Sequence, residues 1–448
     1  MEPAAPSNIP LVPRAPGDPI PVTAVQRRLC ERIIQKRDRL SDLRMVAGSV
    51  RIWGELDIPL LRSSLEAVVR RHESLRTKIR ITDHGLQQHI DAAGGCPLDI
   101  VDLSDSASKT AEEQARRRAQ EFVDRKVDIC AGPLFEPLLM KLDERQHVLI
   151  LVADHLISDG ISYTILNREV WRMYQQRIHP TLPVIPIQFA DYAVWQERTR
   201  PAWMQQHRDY WIRRLVCAPQ ALPPFDGVPT GLPNDAVSVL NVPFGKSLTI
   251  EMTEAAQREG ARLVLLALSA YVAAMAHWCN QSDLVFTFVS HGRHRPELEH
   301  LIGYLAHHLY FRIDLQKKDS FRDLLERVRV EFHSAYEHQD YSRVPDLIPE
   351  CSTELNFNWA PMNWTRGFAP ARQSLNGLEI QPFPLRNVVI HNLSTIFSDT
   401  PSGICATIAY RSNLFAQSTI ERLGNSLRWF AQQIVQQPHT SISAGAPP

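Results

Sequence analysis

Apolar residues recur along this chain at two alternating spacings. Leu61, Leu65, Val68 and Val69 share one face of a predicted helix whose other side carries Arg62, Glu66 and Arg70, as in a surface helix packed on a sheet. Ala111 to Val127 reads as another helix, mostly solvated. Val148 to Ala153 is a short apolar run without charge, the pattern of a buried strand, and it ends in Asp154-His155. A turn follows through Ser158-Asp159-Gly160, and then Tyr163, Leu166, Val170 and Met173 return to helical spacing. A polar cluster thus falls where a buried strand gives way to a helix, a position that commonly presents side chains to a cleft.

Pro180, Pro183 and Pro186 interrupt this pattern and place a domain boundary near residue 180. Beyond it the sequence predicts two aromatic-rich helices around Trp195 and Trp211. A helix from Leu263 to Cys279, an apolar strand from Leu284 to Val289 and a polar turn from Ser290 to Pro296 come next. Phe321, Leu324, Leu325, Val328 and Phe332 define an amphipathic helix, and a terminal one runs from Thr419 to Val435 with Leu423, Leu427 and Phe430 inward. Helices and strands alternate with no short repeat, which predicts a mixed α/β (α+β) architecture in two lobes, residues 22–180 and 181–437. Residues 1–21 hold seven prolines, and residues 438–448 are of similar character. Both read as disordered tails.

Composition narrows the function classes. A chain of 448 residues has room for more than one compact unit with an ample core. Its 49 basic and 49 acidic side chains cancel, so no basic excess drives phosphate binding and nucleic acid is not an expected partner. The seven cysteines lie far apart with no Cys-x-x-Cys, which argues against a zinc ribbon, a redox motif or a disulfide framework and fits a reducing cytosol. The longest uncharged stretch, Leu263 to Ser282, loses its apolar character after Ala276. About 14 apolar residues suit a buried core helix and are too few for a membrane span. The N-terminal residues lack a charged head followed by an apolar stretch, so they do not read as a secretory signal, and with the cysteine pattern a cytoplasmic location is the expectation.

His155, followed by Asp159 and Gly160, carries two readings. In one, a strand-end histidine bonds to backbone while Asp159 caps the next helix. In the other, an imidazole with an unperturbed pKa of about 6.5 takes a proton from a hydroxyl or ammonium and returns it. Gly160 would let the backbone turn tightly or approach a substrate.

Several segments, in order, resemble the nonribosomal-peptide condensation domain family. Arg71-His72-Glu73-Ser74-Leu75-Arg76-Thr77 stands where that family has Arg-His-Glu-x-Leu-Arg-Thr. Asp154 to Gly160 corresponds to its His-His-x-x-x-Asp-Gly core, and Asp191-Tyr192-Ala193-Val194-Trp195 to its Asp-[Phe/Tyr]-Ala-x-Trp segment. The run GRHRPELEHLIGYLAHHLYFRIDL at 292–315, then His338-Gln339-Asp340, then Tyr410, Asn413-Leu414-Phe415 and Thr419 to Leu423 complete the resemblance. It implies two chloramphenicol-acetyltransferase-like lobes forming a V-shaped pseudo-dimer with a central tunnel. It further implies a donor acyl group on a phosphopantetheine thioester entering from one face, a nucleophile from the other, and no bound cofactor or metal. His155, beside Gly160, would position or deprotonate the nucleophile. Asp159 would pair with Arg293 and hold the histidine loop against the second lobe. His307 and His308, where the family has Asn-Thr, are with Tyr310 and Asn358 the implied tunnel residues.

The chain also departs from that pattern. Asp154 occupies the position of the core's first histidine. Related acyltransferases of this fold work with His-x-x-x-Asp alone, which would leave Asp154 a structural substitute. The rival is that Asp154, Asp159 and Ser162 reproduce the Asp-x-x-x-x-Asp-x-x-Ser core of heterocyclization domains. Retention of His155 and of segments 71–77 and 292–312 favours condensation. Ser342-Arg343 replaces a family Pro-Phe. His291, His294, His300, His307 and His308 crowd one region, without the cysteine or carboxylate spacing of a closed metal site. No Walker-type loop, adenylation signature or Gly-x-Ser carrier motif is present. The expectation is therefore a free-standing condensation enzyme. It would join an acyl or peptidyl group from a separate carrier protein, or from coenzyme A, to a small or carrier-bound amine or alcohol. The alternative raised by Asp154 is a non-catalytic module that recruits a carrier protein or a tailoring enzyme.

Overall fold

The computed structural model describes residues 9–35, 45–92, 95–105, 108–176, 182, 184–219, 226, 237–316, 318–339, 341, 344, 355–360, 373–383, 385 and 392–442. In chain order its elements are α1 (Ala24–Gln35), β1 (Met45–Trp53), α2 (Ile58–Arg71), β2 (Thr77–Thr82), β3 (Gly85–Ile90), β4 (Asp99–Asp102), α3 (Ser108–Val123), β5 (Phe135–Asp143) and β6 (Gln146–Asp154). Then come α4 (Gly160–Gln175), α5 (Phe189–Leu215), β7 (Val237–Pro243), α6 (Gly245–Arg258), α7 (Leu263–Cys279), β8 (Asp283–Ser290), β9 (His307–Asp314) and α8 (Phe321–Glu337). The last are β10 (Leu355–Ala360), β11 (Gln373–Leu375), β12 (Leu378–Pro382), β13 (Leu393–Thr400), β14 (Gly403–Arg411) and α9 (Gln417–Gln436). They fall into two compact units. Unit 1 is Met1–Met204 with His291–Ala306 and Asn363–Arg386; unit 2 is Gln205–Ser290, His307–Met362 and Asn387–Pro448.

In unit 1 a six-stranded sheet runs β11-β12-β1-β6-β5-β4. Side chains of its central β6 alternate between two faces. Leu149, Leu151 and Ala153 join Leu61, Leu65 and Val68 of α2 and Leu166 and Val170 of α4. Val148, Ile150 and Val152 join Ala111, Ala115 and Ala119 of α3 on the other side. A sheet covered on both faces has no place for a polar alternation, which is why residues 148–153 of this strand are uncharged. The helix α2 starts where Asp57 accepts the Leu60 amide, with Pro59 in its first turn.

Gly48 on β1 lies under the ring of Tyr163. A Cβ at Gly48 would come within 1.8 Å of that phenol. Gly48→Ala is expected to destabilise the protein by about 1–3 kcal/mol, the usual cost of overpacking a core. Thermal unfolding followed by circular dichroism reads this as a lowered Tm; an unchanged Tm would mean that Tyr163 moves aside without cost.

Unit 2 holds the second six-stranded sheet, β7-β14-β13-β10-β8-β9. Phe286, Phe288, Phe311, Phe357 and Phe397 form a chain of rings across it with centroids 5.2 to 5.7 Å apart. The apolar α7 is buried from Leu265 to Met275 and stops at Asn280, in the left-handed conformation with φ 50°. Among the described residues no single helix is long and apolar enough to cross a membrane.

Three features differ from the sequence expectation. The division falls inside α5, between Met204 and Gln205, and not near residue 180, which lies outside the described residues. The helices expected around Trp195 and Trp211 are one helix, α5, that continues through Pro201. A helical proline removes one backbone hydrogen bond, and the buried Trp195, Trp203 and Trp211 hold the helix on both sides of it. The proline-rich segment from Ile9 to Pro21 is not a disordered tail: Leu11 is buried, Arg14 is ion-paired and Pro21 bridges Gln87. Likewise Thr440, Ser441 and Ile442 bond to the start of α8. Proline lowers helix and sheet content without preventing a segment from burying the side chains between its prolines.

Candidate active site

β6 ends at Asp154, whose amide donates to the Leu134 carbonyl at 2.8 Å. The Asp154 carboxylate is fully buried and accepts the Leu156 amide at 2.8 Å. This closes the turn that projects the next side chain. Gln26 of α1 donates to the Leu156 carbonyl from the other side at 2.6 Å.

His155 is half-buried at the head of this turn, its Nδ1 3.1 Å from the Ser158 carbonyl oxygen. A carbonyl only accepts, so Nδ1 carries the proton and Nε2 the lone pair. The ring lies 5.4 Å from that of Tyr304. Burial holds the imidazole pKa below its ordinary value, against the opposing pull of the Ser158 carbonyl and the Asp159 charge. His155 is therefore neutral at pH 7 and suited to accept a proton.

Asp159 caps α4 by accepting the Ser162 amide at 2.8 Å. The same carboxylate takes two parallel bonds from the Arg293 guanidinium, at 2.9 and 3.0 Å. It also accepts the Leu305 and Ala306 amides at 3.1 and 3.2 Å. Burial alone would raise its pKa, but Arg293 and then Ser162 pull it below the usual carboxylate value. Arg293 donates further to the Leu301 carbonyl at 2.9 Å and to the Ser162 hydroxyl at 3.1 Å. Ser162, fully buried, also accepts the Gly303 amide at 3.0 Å. Gly303 must be glycine, since a Cβ there would meet the Phe189 ring at 2.1 Å. The loop His291–Ala306 is thus stitched to the first turn of α4, with Asp159 at the centre.

The expected Asp159–Arg293 pair is present, with one correction to its role. The family resemblance implies that Arg293 ties the histidine loop to the second lobe, but His291–Ala306 belongs to unit 1. The loop leaves β8 after Ser290, and its Leu298, Leu301 and Leu305 pack with Phe189, Tyr192 and Trp195 of α5. The 71–77 motif supports the same region: His72 Nε2 lies 2.8 Å from Glu169 of α4, and Ser74 donates to the Ile302 carbonyl at 2.6 Å. Gly160 is the first residue of α4.

His155, Asp159, Gly160, Asp154, Ser162 and Arg293 therefore come together in unit 1. His307, His308 and Tyr310 lie on β9 and Asn358 on β10, in unit 2. Asp340 and Ser342-Arg343 lie outside the described residues. Sequence reasoning missed Tyr304, Gly303 and the Leu305 and Ala306 amides. Their signal was the Ile-Gly-Tyr-Leu stretch inside the 292–315 run, which spacing alone does not connect to residue 155. Among the described residues no three His, Cys, Asp or Glu side chains gather as a metal-binding group.

The sequence matches the Condensation domain family over residues 17–445. The chain belongs to that family. A linear gramicidin synthase polypeptide of Brevibacillus parabrevis is 30% identical to it over 98% of this chain and 9% of that protein. Phosphinothricin tripeptide synthetase PhsC of Streptomyces viridochromogenes is 28% identical over 98% of this chain and 42% of that protein. The chain spans less than half the length of these relatives. Among solved structures, the X-domain from teicoplanin biosynthesis superposes with a TM-score of 0.81 at 22% identity, covering 97% of this chain and 99% of that one. The first condensation domain of the calcium-dependent antibiotic synthetase gives 0.73 at 17% identity, covering 96% and 99%. At these identities the superpositions show the fold. Condensation domains are typically amide-forming and act on phosphopantetheine-bound substrates of carrier proteins.

Proposed function

We propose that this condensation domain catalyses acyl transfer from a carrier-bound phosphopantetheine thioester to an amine or hydroxyl acceptor. His155 Nε2 takes a proton from the acceptor as its nitrogen or oxygen bonds to the thioester carbonyl carbon. The carbon–sulfur bond then breaks, and the thiolate leaves with the proton returned by the imidazolium. The product is an amide or an ester, and the free thiol stays on the carrier. A coenzyme A thioester offers the same reacting group and is the simplest alternative donor. The observation that carries this reading is the Nδ1 bond to Ser158, which commits Nε2 to proton acceptance. Asp159 acts through geometry, since its carboxylate is 2% exposed and engaged by Arg293, Ser162, Leu305 and Ala306.

The lowered pKa of His155 sets the pH dependence. kcat/KM is expected to rise with pH through an apparent pKa below about 6.5 and to level off above it. Stability follows the same sign. The neutral ring is favoured in the folded state, so its contribution is complete above the unfolded-state pKa of about 6.5 and declines as pH falls through the folded one. A pH–rate profile with an acyl-loaded carrier protein checks this; a rate that rises as pH falls below 6 would exclude a histidine base.

Two observations bear on the other readings. Ser162 and Asp159 are buried and used on Arg293 and Gly303, so the Asp154/Asp159/Ser162 pattern does not offer side chains to a substrate for cyclisation. The recruitment reading draws on the X-domain likeness, for that protein has a solved complex with OxyB, and on Asp154. Intact-mass analysis of an acyl-loaded carrier protein, incubated with a panel of amines and alcohols, separates the two. Acyl release into product supports catalysis; binding with no acyl loss across the panel supports recruitment.

A further inference from the structure

We infer that Ile9 to Arg14 is a strap that positions the catalytic histidine through the loop carrying Arg293, with Leu11 and Arg14 as its positioning residues. The inference rests on the catalytic reading only in calling His155 the group positioned. The strap grips three elements at once. Its Ile9 carbonyl accepts from Trp195 Nε1 of α5 at 3.2 Å and from Arg295 of the loop at 3.0 Å. Arg295 also lies over the Trp195 ring at 5.1 Å. Leu11, 6% exposed, sits in one apolar cluster with Leu298, Leu301 and Leu305 of the loop. Arg14 donates to Asp191 at the start of α5 from both its amide and its guanidinium, at 3.1 and 2.8 Å, and reaches Glu73 at 3.0 Å.

The loop residues under the strap are the ones that serve the site. Leu301 accepts Arg293 through its carbonyl, and Leu305 donates its amide to Asp159. Asp159 caps α4 and directly follows Ser158, whose carbonyl holds His155. The strap is held by side chains, the Ile9 carbonyl and the Arg14 amide, so loosening it does not require unpairing a strand of the sheet. Release would uncover the three leucines, free the Leu305 and Ala306 amides to move and let the histidine turn rock. This accounts for two motifs by one device, since Asp191 and Trp195 are the first and last residues of the 191–195 segment and Glu73 lies in the 71–77 segment.

Leu11→Ala and Arg14→Gln test the strap, with Arg14→Lys as the variant that keeps the charge. Hydrogen exchange by mass spectrometry should be at least about tenfold faster in peptides covering 298–306 while those covering β8 are unchanged, the mark of local and not global opening. The His155 imidazole, titrated by NMR, should move up towards its ordinary value as water enters, and kcat should fall with KM little changed. Arg14→Lys should restore most of the protection. Unchanged exchange at 298–306 and an unchanged His155 titration in both variants would overturn the inference, as would uniform loosening of every peptide. Exchange and titration need no turnover, so a protein that makes no product would overturn the catalytic reading and leave the strap standing.

Discussion

Asp159→Asn is expected to cost the folded protein about 3–5 kcal/mol and to remove most of its turnover, because the change strands a buried charge. The Arg293 side chain is 3% exposed and its guanidinium faces the carboxylate in a bidentate pair. The donors that converge on the two carboxylate oxygens come from Arg293, Ser162, Leu305 and Ala306, and an asparagine at 159 would turn an NH2 group towards some of them. A buried pair adds little over a well-packed neutral one, but half of a pair is costly. The double variant Asp159→Asn/Arg293→Gln should therefore lie closer to the native protein than either single one. The pH dependence has a definite sign: the Asp159 pKa is depressed in the folded state, so its stabilisation is complete above about 4 and is lost as pH falls through the lowered value. Urea unfolding at pH 7 and at a series of values down to pH 3 measures both effects. A single variant within about 1 kcal/mol of the native protein, or a double variant worse than both singles, would show that the pair does not hold the loop.

Residues whose role is set by near neighbours could be read from the sequence. The charge-free run at 148–153 of β6, the buried faces of α2 and α4 and the extent of α7 follow from periodicity, since each side chain's face is fixed by its own element. The cap by Asp159 is equally local. The Asp159–Arg293 pair spans 134 residues, and no local pattern joins them; it was legible only because the order of segments resembled a known family. The contact of Tyr304 with His155, and β12 pairing with β1, were not legible from spacing, because which distant segment covers a sheet edge or a side chain is decided by packing. The proline content of residues 9–21 misled the reading of that segment as a disordered tail. Pro201 in α5 and the prolines among residues 9–21 forfeit backbone bonds, but the burial of Trp195, Trp203 and Leu11 outweighs that loss.

His155→Ala should lower kcat/KM by about 10²–10⁴, the range for removing a general base, while leaving the fold intact. The side chain is half-buried, and its hydrogen bond goes to a carbonyl three residues on, so little of the core depends on it. The neighbouring turn keeps its Asp154–Leu156 and Asp159–Ser162 bonds without the ring. Affinity for an acyl-loaded carrier protein should be unchanged, because a proton acceptor that works during bond formation contributes to the barrier and not to ground-state binding. The comparison that decides is native protein against His155→Ala, with carrier binding, Tm and acyl release measured on the same samples. Loss of release with binding and Tm retained identifies His155 as the base. Equal release by both proteins places the proton acceptor elsewhere, and release by neither, with binding by both, makes the chain a recruiter that keeps the geometry of an enzyme.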